Sequence, residues 1–216
     1  MSQADSFIEE VTEEVRRDRL FALARKYGWI PILAVVLIVA GASYLEWQKA
    51  REQAAAEALG DSIFSALERD TALSRLTALE SIDAEGDAKS LVALLAASEA
   101  AQVDAQRAGA FLKSVIDTPD QPQIYRDLAA LKLAGLTDYP LMTADRIALL
   151  EPLTAPGAPL RLLAQEQIAL LQMERGEIDL ARDLLQQVSD DAGTGFAQRQ
   201  RIEQILIVLG PADGDS

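Results

Sequence analysis

Residues 162–188, LLAQEQIALLQMERGEIDLARDLLQQV, carry the clearest structural signal in the chain. A run of helix-forming residues ends at the turn Arg175-Gly176-Glu177, and a second such run follows it. In the second run, Ala181, Leu185 and Val188 fall on one helical face. Small residues allow two helices to approach closely, and large residues fill the space beside them. The stretch therefore predicts a pair of packed helices.

The same pattern of small and large residues recurs twice upstream. Leu112, Leu150 and Leu185 are separated by 38 and 35 residues, against about 34 in a tetratricopeptide repeat. In the middle copy, Arg146 occupies the position that an alanine holds in the other two. The three copies comprise Leu94, Ala108, Leu112 and Val115; Ala130, Leu133, Ala134 and Leu149-Leu150; and Ala169, Ala181, Leu185 and Val188. Together they predict an all-α fold, a solenoid of tetratricopeptide-like helix pairs.

Composition also favours an all-α fold. Half of the 216 residues are apolar but only 5% are aromatic, and alanine and leucine, both strong helix formers, dominate the apolar set. No stretch shows the alternation of a half-buried strand. Glycine and proline turns separate the predicted helices, which cover 46–69, 71–82, 88–103, 105–117, 122–136, 142–153, 159–175, 177–189 and 196–209.

An apolar segment lies near the start of the chain. From Tyr27 to Leu45 there are 19 residues without a formal charge, and as a helix they cover about 28 Å, close to the ~30 Å hydrocarbon core of a bilayer. Aromatic residues that favour the headgroup level lie at its two ends: Tyr27, Trp29, Tyr44 and Trp47. We therefore predict an uncleaved transmembrane helix over 27–47. The alternatives are a buried core helix and a signal peptide cleaved after Ala40-Gly41-Ala42.

The charges that flank this segment are asymmetric. On its N-terminal side lie Arg16, Arg17, Arg19, Arg25 and Lys26. On its other side, Lys49 and Arg51 are balanced by acidic neighbours. The positive-inside rule then places residues 1–26 in the cytoplasm as a basic, amphipathic tail and residues 48–210 in the periplasm, anchored in a bacterial inner membrane. Residues 211–216 are expected to form a disordered C-terminal tail.

The residue types present argue against catalysis and against nucleic-acid binding. The chain has no histidine and no cysteine, so it lacks the usual general base and the strongest nucleophile. Neither Asp83-Glu85-Asp87 nor Asp190-Asp191 follows a calcium-loop pattern, and helix capping accounts for both. The net charge of −14 opposes binding to phosphate backbones. We expect no enzymatic activity, no cofactor or metal, and no nucleic-acid partner.

A protein-binding role remains. Helix-pair repeats form a superhelix whose concave surface binds an extended or helical segment of another protein. The first helix of each pair lines that surface in tetratricopeptide folds. Candidate partner-binding residues on these helices are Tyr125, Lys132, Arg161 and Gln165. The alternative for each of them is an ordinary solvated helix face.

The order of segments resembles a known family. FIEEVTEEVRR at 7–17, YRDLAALK at 125–132 and the Arg175-Gly176-Glu177 turn are similar to the YfgM family of ancillary subunits of the SecYEG translocon. The resemblance covers most of the chain and is architectural. It implies a periplasmic domain that assists exported client proteins, together with the translocon and a membrane-anchored, prolyl-isomerase-like chaperone. The same type of domain occurs in a cell-division coordinator. The alternative is therefore a scaffold or assembly factor of a cell-division or respiratory complex, without client binding.

Overall fold

The computed structural model describes Arg25 and residues 29–210, except for the side chains of residues 30–32 and 34. Arg25 is exposed. Some of the predicted features lie outside the described residues: the cytoplasmic tail helix, the topology residues Arg16, Arg17, Arg19 and Lys26, the interface residue Tyr27, and the C-terminal tail 211–216.

The described residues form nine α-helices and no strand, which confirms the all-α prediction. Each helix after the first begins and ends within three residues of its predicted bounds. The helices are α1 (Trp29–Leu67), α2 (Ala72–Glu80), α3 (Asp87–Ala100), α4 (Ala105–Ile116), α5 (Gln123–Ala134), α6 (Thr143–Leu150), α7 (Arg161–Glu174), α8 (Ile178–Asp190) and α9 (Phe196–Leu209).

Helix α1 crosses the boundary between two compact units of the chain, Met1–Ala58 and Leu59–Ser216. In the first unit, every described residue from 33 to 58 is exposed, and the apolar residues 35–39 are 55–71% exposed. Among the described residues, no helix combines the length and the apolar character that a membrane span requires. The predicted span 27–47 extends into residues that the structure does not describe, and it stays a prediction.

The second unit contains a succession of four apolar clusters, each formed by helices that are close in the chain. Helices α3, α4, α5 and α7 each contribute buried residues to two successive clusters, and the main helix contacts join neighbours in the chain. In chain order, the buried cluster members are Ala66, Leu76, Leu79, Ala96, Ala100 and Ala108; Leu94, Ala97, Leu112, Val115, Ala129 and Leu133; Ala130, Ala134, Leu150, Leu153, Ala164, Ile168 and Leu171; and Ala169, Ala181, Leu185, Val188 and Ile202.

The residues assigned to the repeat copies lie in these clusters. Ala108 and Ala181, the small residues of the first and third copies, are 0% exposed, and the large residues that follow them are at most 2% exposed. The same spacing in the middle copy gives Arg146, Leu150 and Leu153, of which the two leucines are 0% and 4% exposed. The three copies therefore bury large residues at equivalent positions, and only the small residue differs.

Glycine ends helix α7 at the turn that the sequence indicates. Gly176 has φ +78°, a left-handed conformation that residues with a Cβ rarely adopt. Its N–H donates to the Met173 carbonyl (3.0 Å), and the Glu177 N–H donates to the Gln172 carbonyl (2.9 Å). These are the two bonds of a Schellman cap, so α7 ends with its last carbonyls satisfied.

Helix α6 ends earlier than the sequence pattern predicts. The predicted helix reaches residue 153, but α6 ends at Leu150 and continues as a short 3₁₀ turn over Glu151–Thr154. Pro152 lies in this turn. Because proline lacks an N–H and its ring clashes with the carbonyl four residues earlier, an α-helix does not continue through it.

Helix α4 contains a glycine where another residue approaches closely. A Cβ built at Gly109 would lie 2.2 Å from Cε2 of the Tyr139 ring. Tyr139 packs against the cluster that α3, α4 and α5 share. The absence of a side chain at Gly109 therefore allows the loop before α6 to pack on α4.

Candidate functional site

A cleft of about 370 Å³ opens across α5, α7 and α9 in the second unit. Helices α5 and α7 are the first helices of two predicted pairs, and α9 follows the last pair. The lining includes four leucines, of which Leu171 is almost fully buried, and two ion-paired arginines: Leu131, Leu163, Leu170, Leu171, Arg146 and Arg201. The cleft thus combines apolar side chains with charges already neutralised by partners.

Two leucines of α7 expose apolar surface inside the cleft. Leu163 is 41% exposed and Leu170 is 38% exposed. They are seven residues apart, which on a helix places them on one face and about 10.5 Å from each other. Ile168 and Leu171 of the same helix lie in the core. Helix α7 therefore buries one apolar face and presents a second one in the cleft.

A buried carboxylate forms one side of the cleft. The Glu166 side chain is 9% exposed and accepts two hydrogen bonds from Arg201, at 3.1 Å from Nε and 3.0 Å from Nη2. The Gln198 amide donates a third bond at 2.8 Å. A bidentate guanidinium with a further donor satisfies a buried carboxylate well. This contact fixes α9 against α7.

Arg146 joins the ends of two helices at the cleft. Its side chain is 11% exposed; Nε donates to the Ala134 carbonyl at 2.6 Å, and Nη1 donates to Oε2 of Glu174 at 2.8 Å. Ala134 and Glu174 are the last residues of α5 and α7. Because carbonyls at a helix C-terminus carry partial negative charge, a cation is favourable there. The residue that breaks the small-residue pattern thus links α5, α6 and α7.

A side-chain amide bridges α5 and α7 at the same place. With its amide oriented to satisfy both groups, Gln167 donates to the Leu131 carbonyl (3.1 Å) and accepts from the Gly135 N–H (2.5 Å). A Cβ at Gly135 would lie 2.7 Å from the end of the Gln167 amide. Glycine at position 135 therefore lets this amide reach the end of α5.

The four predicted partner-binding residues do not line this cleft. Tyr125 packs against the core cluster of α3–α5, and Lys132 is exposed and donates from Nζ to the Ser98 hydroxyl at 2.9 Å. Arg161 and Gln165 are joined by a 3.3 Å hydrogen bond. Both lie on α7, whereas Tyr125 and Lys132 lie on α5. Their role in partner binding stays a prediction.

Arg161 also forms an ion pair with the loop after α8. Its Nη2 donates to Oδ2 of Asp191 at 2.7 Å, and the Gly193 N–H donates to Oδ1 at 2.8 Å. The Arg161 hydrogen bond, followed by that of Gly193, lowers the pKa of the Asp191 carboxyl below its ordinary value. A lowered pKa means that the carboxylate stays ionised into more acidic solution. The ion pair between Arg161 and Asp191 therefore persists in more acidic solution than one made by an ordinary aspartate.

The described part of the chain has no cluster of three or more acidic residues that could hold a metal ion. Comparisons with protein-family models, with curated proteins and with solved structures found no match to this chain. The cleft and its residues are therefore the basis on which a function can be inferred.

Proposed function

We propose that this chain is a membrane-anchored, protein-binding adaptor whose cleft across α5, α7 and α9 binds an apolar segment of a partner protein. The observation that carries this proposal is the exposure of Leu163 and Leu170 on one face of α7, inside a cleft. Each Å² of apolar surface that a partner buries there contributes about 25 cal/mol to binding. Clustered exposed apolar residues with polar surroundings are typical of interaction sites.

The polar groups of the cleft suit a peptide ligand. The Arg201 side chain is 52% exposed and that of Glu174 is 47% exposed, although each has an ion-pair partner. Arg201 can donate to the carbonyls of a bound segment, and Glu174 can accept from its N–H groups. An apolar centre with such a hydrogen-bonding rim is the usual anatomy of a protein–protein interface.

The succession of clusters supports a tetratricopeptide-like solenoid for the second unit. In a solenoid each repeat contacts only its neighbours, so successive apolar clusters follow the order of the chain. Helices α3, α4, α5 and α7 each contribute buried residues to two successive clusters here. The cleft lies on two of these helices, α5 and α7, and on the helix that follows the last pair.

The exposed apolar residues of α1 support the membrane anchor. In addition to the apolar residues 35–39, Tyr44 and Trp47 are 62% and 55% exposed, with ring centres 6.1 Å apart. The Arg51 guanidinium lies 4.8 Å from the centre of the Trp47 ring. Aromatic rings beside a cation are suited to the headgroup region of a bilayer. The adaptor is then a single-pass inner-membrane protein with residues 48–210 in the periplasm.

The resemblance to the YfgM family supports a location of the adaptor beside the SecYEG translocon. Its partners are then the translocon, a membrane-anchored prolyl-isomerase-like chaperone, and exported client proteins. Anchoring in the same membrane raises the effective concentration of the cleft near emerging chains. Weak binding by a short cleft is sufficient under those conditions.

Site-specific photo-crosslinking in intact cells tests the cleft. A photoreactive amino acid at position 163 or 170 is expected to give adducts with the translocon, the chaperone or exported chains. The matched control is Leu180, a leucine on α8 that is 58% exposed and does not line the cleft. Lys132 is included because it is the exposed member of the four predicted residues.

The yields at the leucine positions decide the proposal. Adducts at 163 and 170 in clear excess over those at 180 support the cleft as the binding site. Equal yields at all three leucine positions, or none, contradict it. Affinity capture of the chain from the same cells distinguishes the adaptor from the alternative scaffold role. A scaffold would be recovered in one stable envelope complex without translocon components.

A fusion experiment tests the anchor. A reporter that is active only outside the cytoplasm, fused after Gly210, is expected to be active and to remain in the membrane fraction after alkaline extraction. The reason is that five lysine and arginine residues lie at 16–26, before the segment, whereas only Lys49 and Arg51 follow it closely. Recovery of a soluble chain that begins at Ser43 would instead establish a cleaved signal peptide.

A further inference from the structure

Helix α9 exposes large apolar side chains on the side away from the core. Among the described residues, the three most exposed large hydrophobic side chains are all on this helix: Phe196 at 75%, Ile207 at 79% and Val208 at 84%. A helix face that water covers normally carries polar side chains. The outer face of α9 therefore departs from the expected pattern at both of its ends.

The outer face of α9 is the side of the helix opposite its buried residues. Ile202 is 0% exposed, and Ile205, Leu206 and Leu209 pack against the cluster of α7 and α8. At 100° per residue, Phe196, Gln200, Glu203 and Ile207 fall in one stripe on the outer side. Ala197, Arg201, Gln204 and Val208 fall in the stripe beside it, in which the Arg201 guanidinium bonds Glu166 of α7 at the rim of the cleft. Each stripe is apolar at its two ends and polar at its centre.

This order is self-complementary under a two-fold rotation. If two copies of α9 lie antiparallel with their centres near Ile202, Phe196 of one copy faces Ile207 of the other. Ala197 similarly faces Val208. At the centre, the Gln200 amide can donate to the Glu203 carboxylate of the other copy. Among the described residues, neither Gln200 nor Glu203 has a side-chain hydrogen bond within its own chain.

We propose that the outer face of α9 is a homodimer interface in which two copies pair antiparallel through this helix. A two-fold interface uses the same patch on both copies, so each apolar contact occurs twice. Antiparallel pairing places Glu203 opposite the neutral Gln200, whereas parallel pairing would place it directly opposite a second Glu203. The partner is thus a second copy of this chain.

Engineered cysteines test the register directly. The natural chain has no cysteine, so introduced thiols are the only ones present. The double variant Phe196→Cys/Ile207→Cys, purified as the full chain in detergent, is expected to form a covalent dimer on mild oxidation. Eleven residues of helix span about 16 Å, whereas a disulfide needs Cα atoms within ~7 Å, so the two thiols cannot react within one copy.

The single variants supply the controls. Phe196→Cys alone and Ile207→Cys alone are expected to give no more dimer than Gln187→Cys, an exposed position on α8. Dimers from either single variant at the level of the double variant would overturn the antiparallel register. A double variant that cross-links no better than Gln187→Cys would overturn the interface itself.

An equilibrium measurement complements the cross-linking. Ile207→Glu places a charge against Phe196 at both ends of the interface, so sedimentation of the full chain is expected to show at least about tenfold weaker dimerisation, about 1.4 kcal/mol. Because Ile207 is 79% exposed, the thermal unfolding curve should not change apart from the loss of dimer. A natural chain that sediments as a monomer, or an unchanged dimer in the variant, contradicts the proposal.

Discussion

Replacing Leu185 with alanine is expected to lower the free energy of unfolding of the second unit by about 2–5 kcal/mol. Leu185 is 0% exposed and lies in the cluster formed with Ala169, Ala181 and Ile202, where α7, α8 and α9 meet. The substitution leaves a cavity that these packed helices cannot close. Because domains are stable by only about 5–15 kcal/mol, such a loss is large. Urea denaturation of the full chain, followed by far-ultraviolet circular dichroism, measures it.

The same helix provides the control. Leu180→Ala removes the same atoms from a side chain that is 58% exposed, so its effect should stay within about 0.5 kcal/mol. The comparison cancels the change in helix propensity, because leucine becomes alanine on α8 in both variants. Equal effects at the two positions would show that the burial of Leu185 does not stabilise the unit.

Arg146→Ala restores the small residue of the other two repeat copies, and we expect it to destabilise the unit by about 1.5–3 kcal/mol. The guanidinium is largely buried and bonds both the Ala134 carbonyl and the Glu174 carboxylate. Removing it leaves the end of α5 without this donor and removes the link to α7. Thermal and urea unfolding of the full chain measure the change.

A second arginine separates this effect from ordinary surface ion pairing. Arg175 pairs with Glu177 at 2.9 Å, but its side chain is 47% exposed. Arg175→Ala should therefore cost only about 0–1 kcal/mol. If Arg146→Ala is neutral or stabilising, alanine is the better residue at this repeat position and the two contacts of the Arg146 side chain do not add stability.

The sequence predicts the helices well because local chemistry ends them. Gly176 allows the left-handed turn after α7, and its effect can be read directly from the residue type. The end of α6 was predicted wrongly at residue 153, although Pro152 is visible in the sequence, because the apolar pattern of Leu149, Leu150 and Leu153 continues through it. The apolar periodicity predicts a longer helix, whereas Pro152 prevents the α-helix from continuing, and the structure follows the proline.

The cleft could be predicted only in part. The sequence indicates that α5 and α7 line the binding surface, but it does not show which leucines of α7 face the core and which face the cleft. Leu163 and Leu170 differ from Leu171 only in what the neighbouring helices cover. The polar candidates also have distant partners, since Lys132 bonds Ser98 and Arg161 bonds Asp191, 34 and 30 residues away. No local pattern reveals such contacts.

The succession of clusters favours fast folding of this chain from local contacts. Because its main helix contacts join neighbours in the chain, contact order is low, and low contact order favours fast folding. Each cluster can form as soon as its own helices are available, starting with the cluster of Ala66, Leu76 and Leu79. A polypeptide emerging N-terminus first could therefore become ordered progressively, with little unfolded chain exposed to proteases at any moment.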